Sequence, residues 1–486
     1  MKRLLGNLSF TASNARHAFD FARAELEPRA RQERILLDFL RRNAKTEFGR
    51  EHGFHELCSV EDFQARVPIR TYDEFEPWID RIRRGEPKVL TEEPVLAFET
   101  SSGSSGAIKY VPYTRTLLAE FRRAIGAWLF DLFTGRPRLL AGAHYWSISP
   151  LGSRDRFDES GAIPIGFESD LEYFGERERR ALARVLAVGP EVAASADLAE
   201  CRQKTLDALV ACRELRFLSV WNPSFLTRLL DGLPDGASPK ELWPDLTLVS
   251  CWTSASAALA LPELEAALPG VEVQGKGLLA TEGVVSLPKL GQPGPTPAIT
   301  SHFLEFVDED GSACLVDELE VGRRYRPLLT TGGGFVRYDL GDQVEALTPK
   351  SIEFVGKLGL VSDLVGEKLS DAFVGSTMRS LDVDVGWFLL APAPGAPPAY
   401  ELFVERAGTP DLARRLDRAL CASPHYDYAR RLGQLGVVRV IVVERAEERF
   451  LASCIARGQR AGDVKSAALR TELDWREHLG HREQAR

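Results

Sequence analysis

The sequence has few of the residues that would staple or anchor it. Seven cysteines occur in 486 residues, at 58, 201, 212, 251, 314, 421 and 454, and no two stand in CxxC spacing. An odd, scattered set in so long a chain argues against a disulfide framework and reads as reduced thiols in a cytoplasm. No stretch reaches the ~18 apolar residues of a membrane span. Met1 to Phe10 has a basic start but no apolar run of signal-peptide length. An excess of positive charge is missing as well. With 61 basic and 70 acidic residues the formal charge is -9, which gives no electrostatic case for nucleic acid or an anionic membrane as partner. No obligate protein partner is expected either. Absent too are a Gly-x-Ser-x-Gly elbow, a zinc cluster and a dinucleotide fingerprint, which removes the commonest hydrolase and dehydrogenase readings.

What remains is an ordinary globular composition, 44% apolar and 27% charged. Its length exceeds what one core sustains, so two or more domains are expected. The chain is organised around Glu99-Thr-Ser-Ser-Gly-Ser-Ser-Gly-Ala-Ile-Lys-Tyr-Val-Pro-Tyr-Thr114. Hydroxyls at Ser101, Ser102, Ser104 and Ser105, the turns allowed by Gly103 and Gly106, and the charge of Lys109 can all face one anion. Apolar residues on either side predict two short strands joined by a phosphate-binding turn. A Walker loop would need Gly-Lys-Ser/Thr opening a helix. Here two residues separate Gly106 from Lys109 and Tyr110-Val-Pro follows, so that alternative fails on spacing. A plain Ser/Gly surface loop is the bland alternative.

Three further stretches stand out. Leu278-Leu-Ala-Thr-Glu282 lies in a glycine-flanked, strand-like segment. Tyr325 to Asp342 holds three successive glycines, which let a backbone pass close to a ligand, and then Arg337 and Asp342. Gly458 to Ser466 carries Lys465 on a glycine-flanked loop, where a solvated lysine is the blander reading. His52, His55 and Cys58 are spaced for one helical face but lack a fourth metal ligand, so packing is the preferred account. His144 could serve as an acid or base at a substrate pocket, but a histidine inside an aromatic strand is more often structural; Tyr145 and Trp146 beside it are candidate pocket walls, and His302 stays ambiguous between a site and a structural role.

Ser101 to Lys109 resembles the first nucleotide motif of the adenylate-forming superfamily, and more closely the GH3 family of acyl acid amido synthetases. The resemblance runs through nearly the whole chain. Asn43–Phe54 and Val67–Pro77 are similar to the family's N-terminal signature, which implies that they buttress the nucleotide site. On this resemblance the fold is α/β: a large N-terminal adenylation domain of layered sheets and helices, 1–357, and a small mobile C-terminal α/β domain, 358–486. It implies ATP and Mg2+ as cofactors, a small carboxylic acid and an amino acid as substrates, and AMP and pyrophosphate as products.

The implied roles follow motif by motif. Ser101, Ser102, Gly103, Ser104, Ser105, Gly106 and Lys109 would hold phosphate, Leu278 would lie beside adenine, and Thr281 would touch phosphate. Glu282 would hold magnesium and Asp342 both ribose hydroxyls, while Lys465 would bridge the carboxylate and the α-phosphate. Lys357 stands where relatives usually carry arginine; the charge is kept but the forked donor geometry is lost. Leu278 replaces a usual tyrosine and Leu279 a usual glycine, which removes aromatic stacking on the base. Those departures leave two alternatives open, an acyl-CoA synthetase sharing the adenylation step and a catalytically inactive nucleotide-binding or interaction protein.

Overall fold

The computed structural model describes residues 1–102, 108–148, 163–167, 170–195, 198–357, 360–362, 364–365, 367, 369–395, 397–431, 433, 435–459, 464–465 and 467–479. The described residues of Met1–Ser101, Lys109–Ser254 and Ala260–Phe354 form one compact unit, and those of Val355–Arg486 make up the body of a second.

Helices Lys2–Ala24 and Pro28–Asn43 open the first unit. Pro28, expected to break the pattern, stands at the first helical position, where a missing N–H removes no hydrogen bond and the fixed φ suits the turn. The helix predicted over 117–133 spans Arg115–Gly135, and Thr114 caps it by accepting from the Leu117 N–H at 3.1 Å. Its apolar side, with Leu117, Phe121, Leu129, Leu132 and Phe133, is buried in the main core.

That helix covers one face of a parallel sheet in the order Ala143–Trp146, Leu215–Ser219, Leu248–Cys251, Glu272–Gly275. The register pairs Phe217 with Leu248 and Leu218 with Val249. Phe217 and Leu248 join the core beneath the helix, whereas Leu218 and Val249 join a separate core on the other face. Burial on both faces is what an all-parallel sheet requires. The helical region expected over 176–218 is broken up: helices span Glu176–Leu182 and Leu198–Ala211, and a strand already begins at Leu215. Arg216 hides that strand in the sequence, because its charge interrupts the apolar run; it is paired with Asp245 at 2.9 Å.

A second, antiparallel sheet sets Arg324–Thr330 between Phe303–Val307 and Asp342–Thr348, with Tyr338–Asp339 also pairing to it. Arg70 extends this array: its N–H donates to the Arg337 carbonyl at 3.2 Å, and its own carbonyl accepts from the Asp339 N–H at 2.8 Å.

In the second unit, Ala399–Val404 pairs antiparallel with Phe388–Ala393 and parallel with Arg439–Val442. Core clusters lie on both faces of this small sheet. Residues 391–398, expected as a surface loop, are strand as far as Ala393, with Pro392 opposite Tyr400. Pro392 is accommodated because its strand is at the sheet edge, where one backbone donor can be spared. Among the described residues, no helix is long and apolar enough to cross a membrane.

Candidate functional site

Tyr338 ties the separated motifs together. Its buried ring stacks on Phe335 with centroids 4.4 Å apart, and its hydroxyl donates to Glu282 Oε1 at 3.2 Å. Burial first, then the negative charge of Glu282, and further the proximity of Tyr72 and Asp342, hold that hydroxyl well above the usual tyrosine range. Tyr72 packs on the same Phe335 ring, with centroids 6.5 Å apart. Glu282 and Asp342 are themselves buried.

Lys109 enters the same group through Tyr72. Its ammonium lies 5.3 Å from the centre of the Tyr72 ring, and the Tyr72 hydroxyl accepts from the Tyr110 N–H at 2.7 Å. Tyr72 opens a helix, Tyr72–Arg83, fixed by a capping box between Thr71 and Glu74. From the same segment, Phe75 packs on Phe335 and Tyr338, with ring centroids 5.2 Å and 6.1 Å away.

The Thr281-Glu282 turn joins Leu279–Ala280 to Gly283–Val284 and is held on two sides. Tyr113 donates to the Thr281 carbonyl at 2.6 Å and in turn accepts from the Tyr173 hydroxyl at 3.1 Å. On the other side, His302 Nε2 accepts from the Val284 N–H at 3.0 Å, and Nδ1 donates to Glu120 Oε2 at 2.9 Å. The same Glu120 oxygen accepts from the Gly332 N–H at 2.9 Å. Both His302 nitrogens are thus committed to positioning the turn, which resolves its ambiguity in favour of structure.

Several residues singled out in the sequence are placed elsewhere. The Gly332 to Gly334 run is packed against protein: a Cβ on Gly332 would meet Thr116 at 2.4 Å, one on Gly333 the Pro112 carbonyl at 2.5 Å, and one on Gly334 the Leu90 side chain at 2.7 Å. Gly334 also has φ +103°, which excludes most side chains. Arg337 forms a buried two-point pair with Glu305, at 3.1 Å from Nε to Oε2 and 3.0 Å from Nη2 to Oε1. His144 is wholly buried, stacked on Phe133 at 4.9 Å, and burial lowers its pKa to about 4. Tyr145 faces the opposite core, whereas Trp146 packs on Phe10 and Phe174 in the same core as Phe133. His52 accepts from Arg70 at 2.9 Å on Nε2, donates to the Phe48 carbonyl at 2.8 Å on Nδ1, and stacks on Phe48.

Of the phosphate loop, Ser101 and Ser102 end the strand Ala97–Ser102, while Gly103, Ser104, Ser105 and Gly106 lie outside the described residues. Leu278 is buried in the main core, its N–H donating to Ser286 Oγ at 2.9 Å. Thr281 is half-buried. Lys357 closes the strand Ser351–Lys357. Lys465 is exposed, in the second unit. Tyr113 and Tyr338 were not legible as site residues, because a tyrosine in an apolar strand reads as core.

A parallel sheet under a long helix, an antiparallel sheet beside it and a small α/β unit are the fold of the adenylate-forming enzymes. A solved structure of 2-hydroxyisobutyryl-CoA ligase with 2-HIB-AMP aligns with TM-score 0.58 at 12% identity, over 91% of this chain and 89% of its own. Closer still in fold is the AtGH3.15 acyl acid amido synthetase in complex with 2,4-DB, with TM-score 0.77 at 18% identity and 93% coverage of each chain. Three family models match in succession: the GH3 family N-terminal domain at residues 19–238, the central domain at 296–357 and the C-terminal domain at 371–472. The chain belongs to the GH3 family. Among curated relatives, the probable indole-3-acetic acid-amido synthetase GH3.12 of Oryza sativa subsp. japonica is 24% identical over 89% of this chain and 90% of its own. The indole-3-acetic acid-amido synthetase GH3.6 of Arabidopsis thaliana is 40% identical over a short stretch, 15% of this chain and 12% of its own.

Proposed function

We propose that the protein is an ATP-dependent acyl acid amido synthetase. A carboxylate attacks the α-phosphorus of ATP, pyrophosphate leaves, and the resulting acyl-adenylate is attacked by an amino acid's amine to give an amide and AMP. The observation that carries this reading is that Lys109 lies against Tyr72 and Glu282 accepts from Tyr338, two rings that both pack on Phe335, while the charge of the buried Asp342 bears on the same Tyr338 hydroxyl. Membership of a family with amido synthetase relatives supports it.

Chemistry of this kind asks a protein for alignment and charge neutralisation more than for a covalent group. Ser101 to Lys109 would hold phosphate, with Thr281 at its edge, and Leu278 would cover an apolar face of the base. Asp342 would accept from the ribose hydroxyls, a task suited to a buried carboxylate with two oxygens. Lys357 supplies charge beside the nucleotide. Glu282 accepts one hydroxyl and keeps lone pairs for a hard cation, which fits magnesium held by one or two carboxylates plus substrate phosphates. When bound, that ion would neutralise charge on the phosphate oxygens. Lys465 would reach the α-phosphate with a mobile small domain, and the two-domain division near residue 357 is part of the same proposal. A cytoplasmic location, a single chain sufficient for activity and an amine acceptor complete it.

Retention of Lys109, Glu282, Asp342 and Lys465 argues against an inactive relative. The test is calorimetric titration of ATP with magnesium present. Saturable binding is expected; no detectable binding would sink the enzyme reading. Amino acids or coenzyme A offered as acceptors then separate amide from thioester synthesis.

A further inference from the structure

Lys276 follows the last strand of the parallel sheet and turns inward, 4% exposed. Nζ donates to Ser219 Oγ at 2.6 Å and lies 5.0 Å from the ring centres of both Trp128 and Trp221. Among the described residues no carboxylate pairs with it. A buried ammonium without a counter-charge is among the more expensive arrangements a protein can hold. Burial answers by lowering its pKa to about 7, and the one titratable group whose charge bears on it, Cys251, is a thiol pushed up to about 12 and so neutral. Trp128, Trp221 and Ser219, the other groups packed against it, do not titrate.

The surroundings of Lys276 are polar and incompletely used. Register places Trp146, Ser219, Ser250 and Gln274 in one row across the strand ends, on the face under the long helix. Gln274 Oε1 accepts from Trp128 Nε1 at 3.1 Å. Ser250 Oγ, on a fully buried residue, and Trp146 Nε1 have no partner among the described residues. Ligands of parallel α/β sheets sit at the carboxyl ends of the strands, and Ser219, Ser250 and Lys276 all lie there. Lys276 is two residues before Leu278 and six before Glu282.

We propose that Lys276 and Ser250 recognise a second acidic oxygen group on the acyl substrate, and that Trp128 and Trp221 clasp the aromatic ring that carries it. The substrate class is then an aromatic carboxylic acid bearing a second carboxylate or an acidic ring hydroxyl. The reacting carboxylate already has Lys465 assigned to it in the proposed reading, so Lys276 is left for a second oxygen group. A cation holding a second oxygen keeps its partner through both steps. The proposal rests on the carboxylate-activating reading of the site, but its test does not use ATP.

The experiment is calorimetric binding at pH 8 of benzoate, terephthalate, isophthalate, 3-hydroxybenzoate and 4-hydroxybenzoate to the full chain, in two buffers of different ionisation enthalpy. Wild-type protein should bind at least one disubstituted acid about tenfold or more tighter than benzoate. A bound dicarboxylate should bring uptake of up to about one proton, because it restores the charge of Lys276. Lys276→Met should abolish both the preference and the uptake while leaving benzoate within about threefold, and Ser250→Ala should weaken only the disubstituted acids. Circular dichroism checks that each variant folds. The proposal is overturned if no disubstituted acid is preferred, or if the variants keep the preference. A chain that shows the lysine-dependent preference but never binds ATP would instead overturn the adenylation reading and leave this one standing.

Discussion

The Tyr338 hydroxyl donates to Glu282 Oε1, joining two motifs 56 residues apart in the chain. The bond fixes one carboxylate oxygen; on the proposed reading the other is left for magnesium. Because burial and neighbouring carboxylates keep the hydroxyl protonated across any ordinary pH, it acts as a constant donor and not as an acid.

Tyr338→Phe removes that donor while keeping the ring on Phe335. A hydrogen bond to a charged group contributes about 1.5–3 kcal/mol, so urea unfolding should lose a comparable amount. Magnesium dependence of the reaction should move with it, since Glu282 is then free to rotate. An unchanged unfolding midpoint together with an unchanged magnesium requirement would remove Tyr338 from the account.

His144 gives a pH prediction with a definite sign. Its folded-state pKa is lowered from the ordinary value of 6.5 to about 4, so the unfolded chain takes up a proton that the folded chain refuses. The contribution is fully present above about pH 6.5 and is lost as pH falls toward 4, with a slope of at most about 1.4 kcal/mol per pH unit. His17, lowered to about 4 as well, adds in the same window. Urea midpoints between pH 7 and 5 should fall for the wild type and fall less steeply for His144→Gln. Parallel curves would contradict the assignment.

How far the sequence carried this picture depended on the distance over which each residue finds its partner. Thr114 as a cap, Pro28 as a break between helices and the apolar face of Arg115–Gly135 rest on neighbours within a turn or two, and each was readable. Thr281, Glu282 and Asp342 stand out as candidates because a motif names them. His302 was not, since its carboxylate partner Glu120 is 182 residues away. Arg337 looked free at a strand end because Glu305, which it grips, belongs to another strand. The three glycines suggested a ligand where the structure puts Thr116, Pro112 and Leu90. Glycine reports close approach, and sequence does not say of what. Lys276 drew no notice, for a lysine between two glycines reads as solvated until the sheet turns it inward.

If Lys465 acts as proposed, its removal separates the two half-reactions. Lys465→Ala should leave ATP affinity nearly intact, because Lys109 and Asp342 belong to the first unit. Acyl-adenylate formation should slow by about 10²–10³, as for loss of one preorganised transition-state donor. Single-turnover kinetics with free acid, and separately with preformed acyl-adenylate, should show the second step far less affected. Adenylation at the wild-type rate would return Lys465 to an ordinary surface role.

The central claim is that this chain makes acyl-adenylates, and pyrophosphate exchange into ATP tests it most directly. With magnesium and a panel of aromatic and aliphatic acids, wild-type protein should exchange label in the presence of at least one acid and not without it. Asp342→Ala should reduce that exchange through nucleotide affinity weakened by roughly 10–100-fold, the equivalent of losing charged hydrogen bonds to the ribose. Exchange that needs no acid, or its absence with every acid while ATP still binds, would contradict the account.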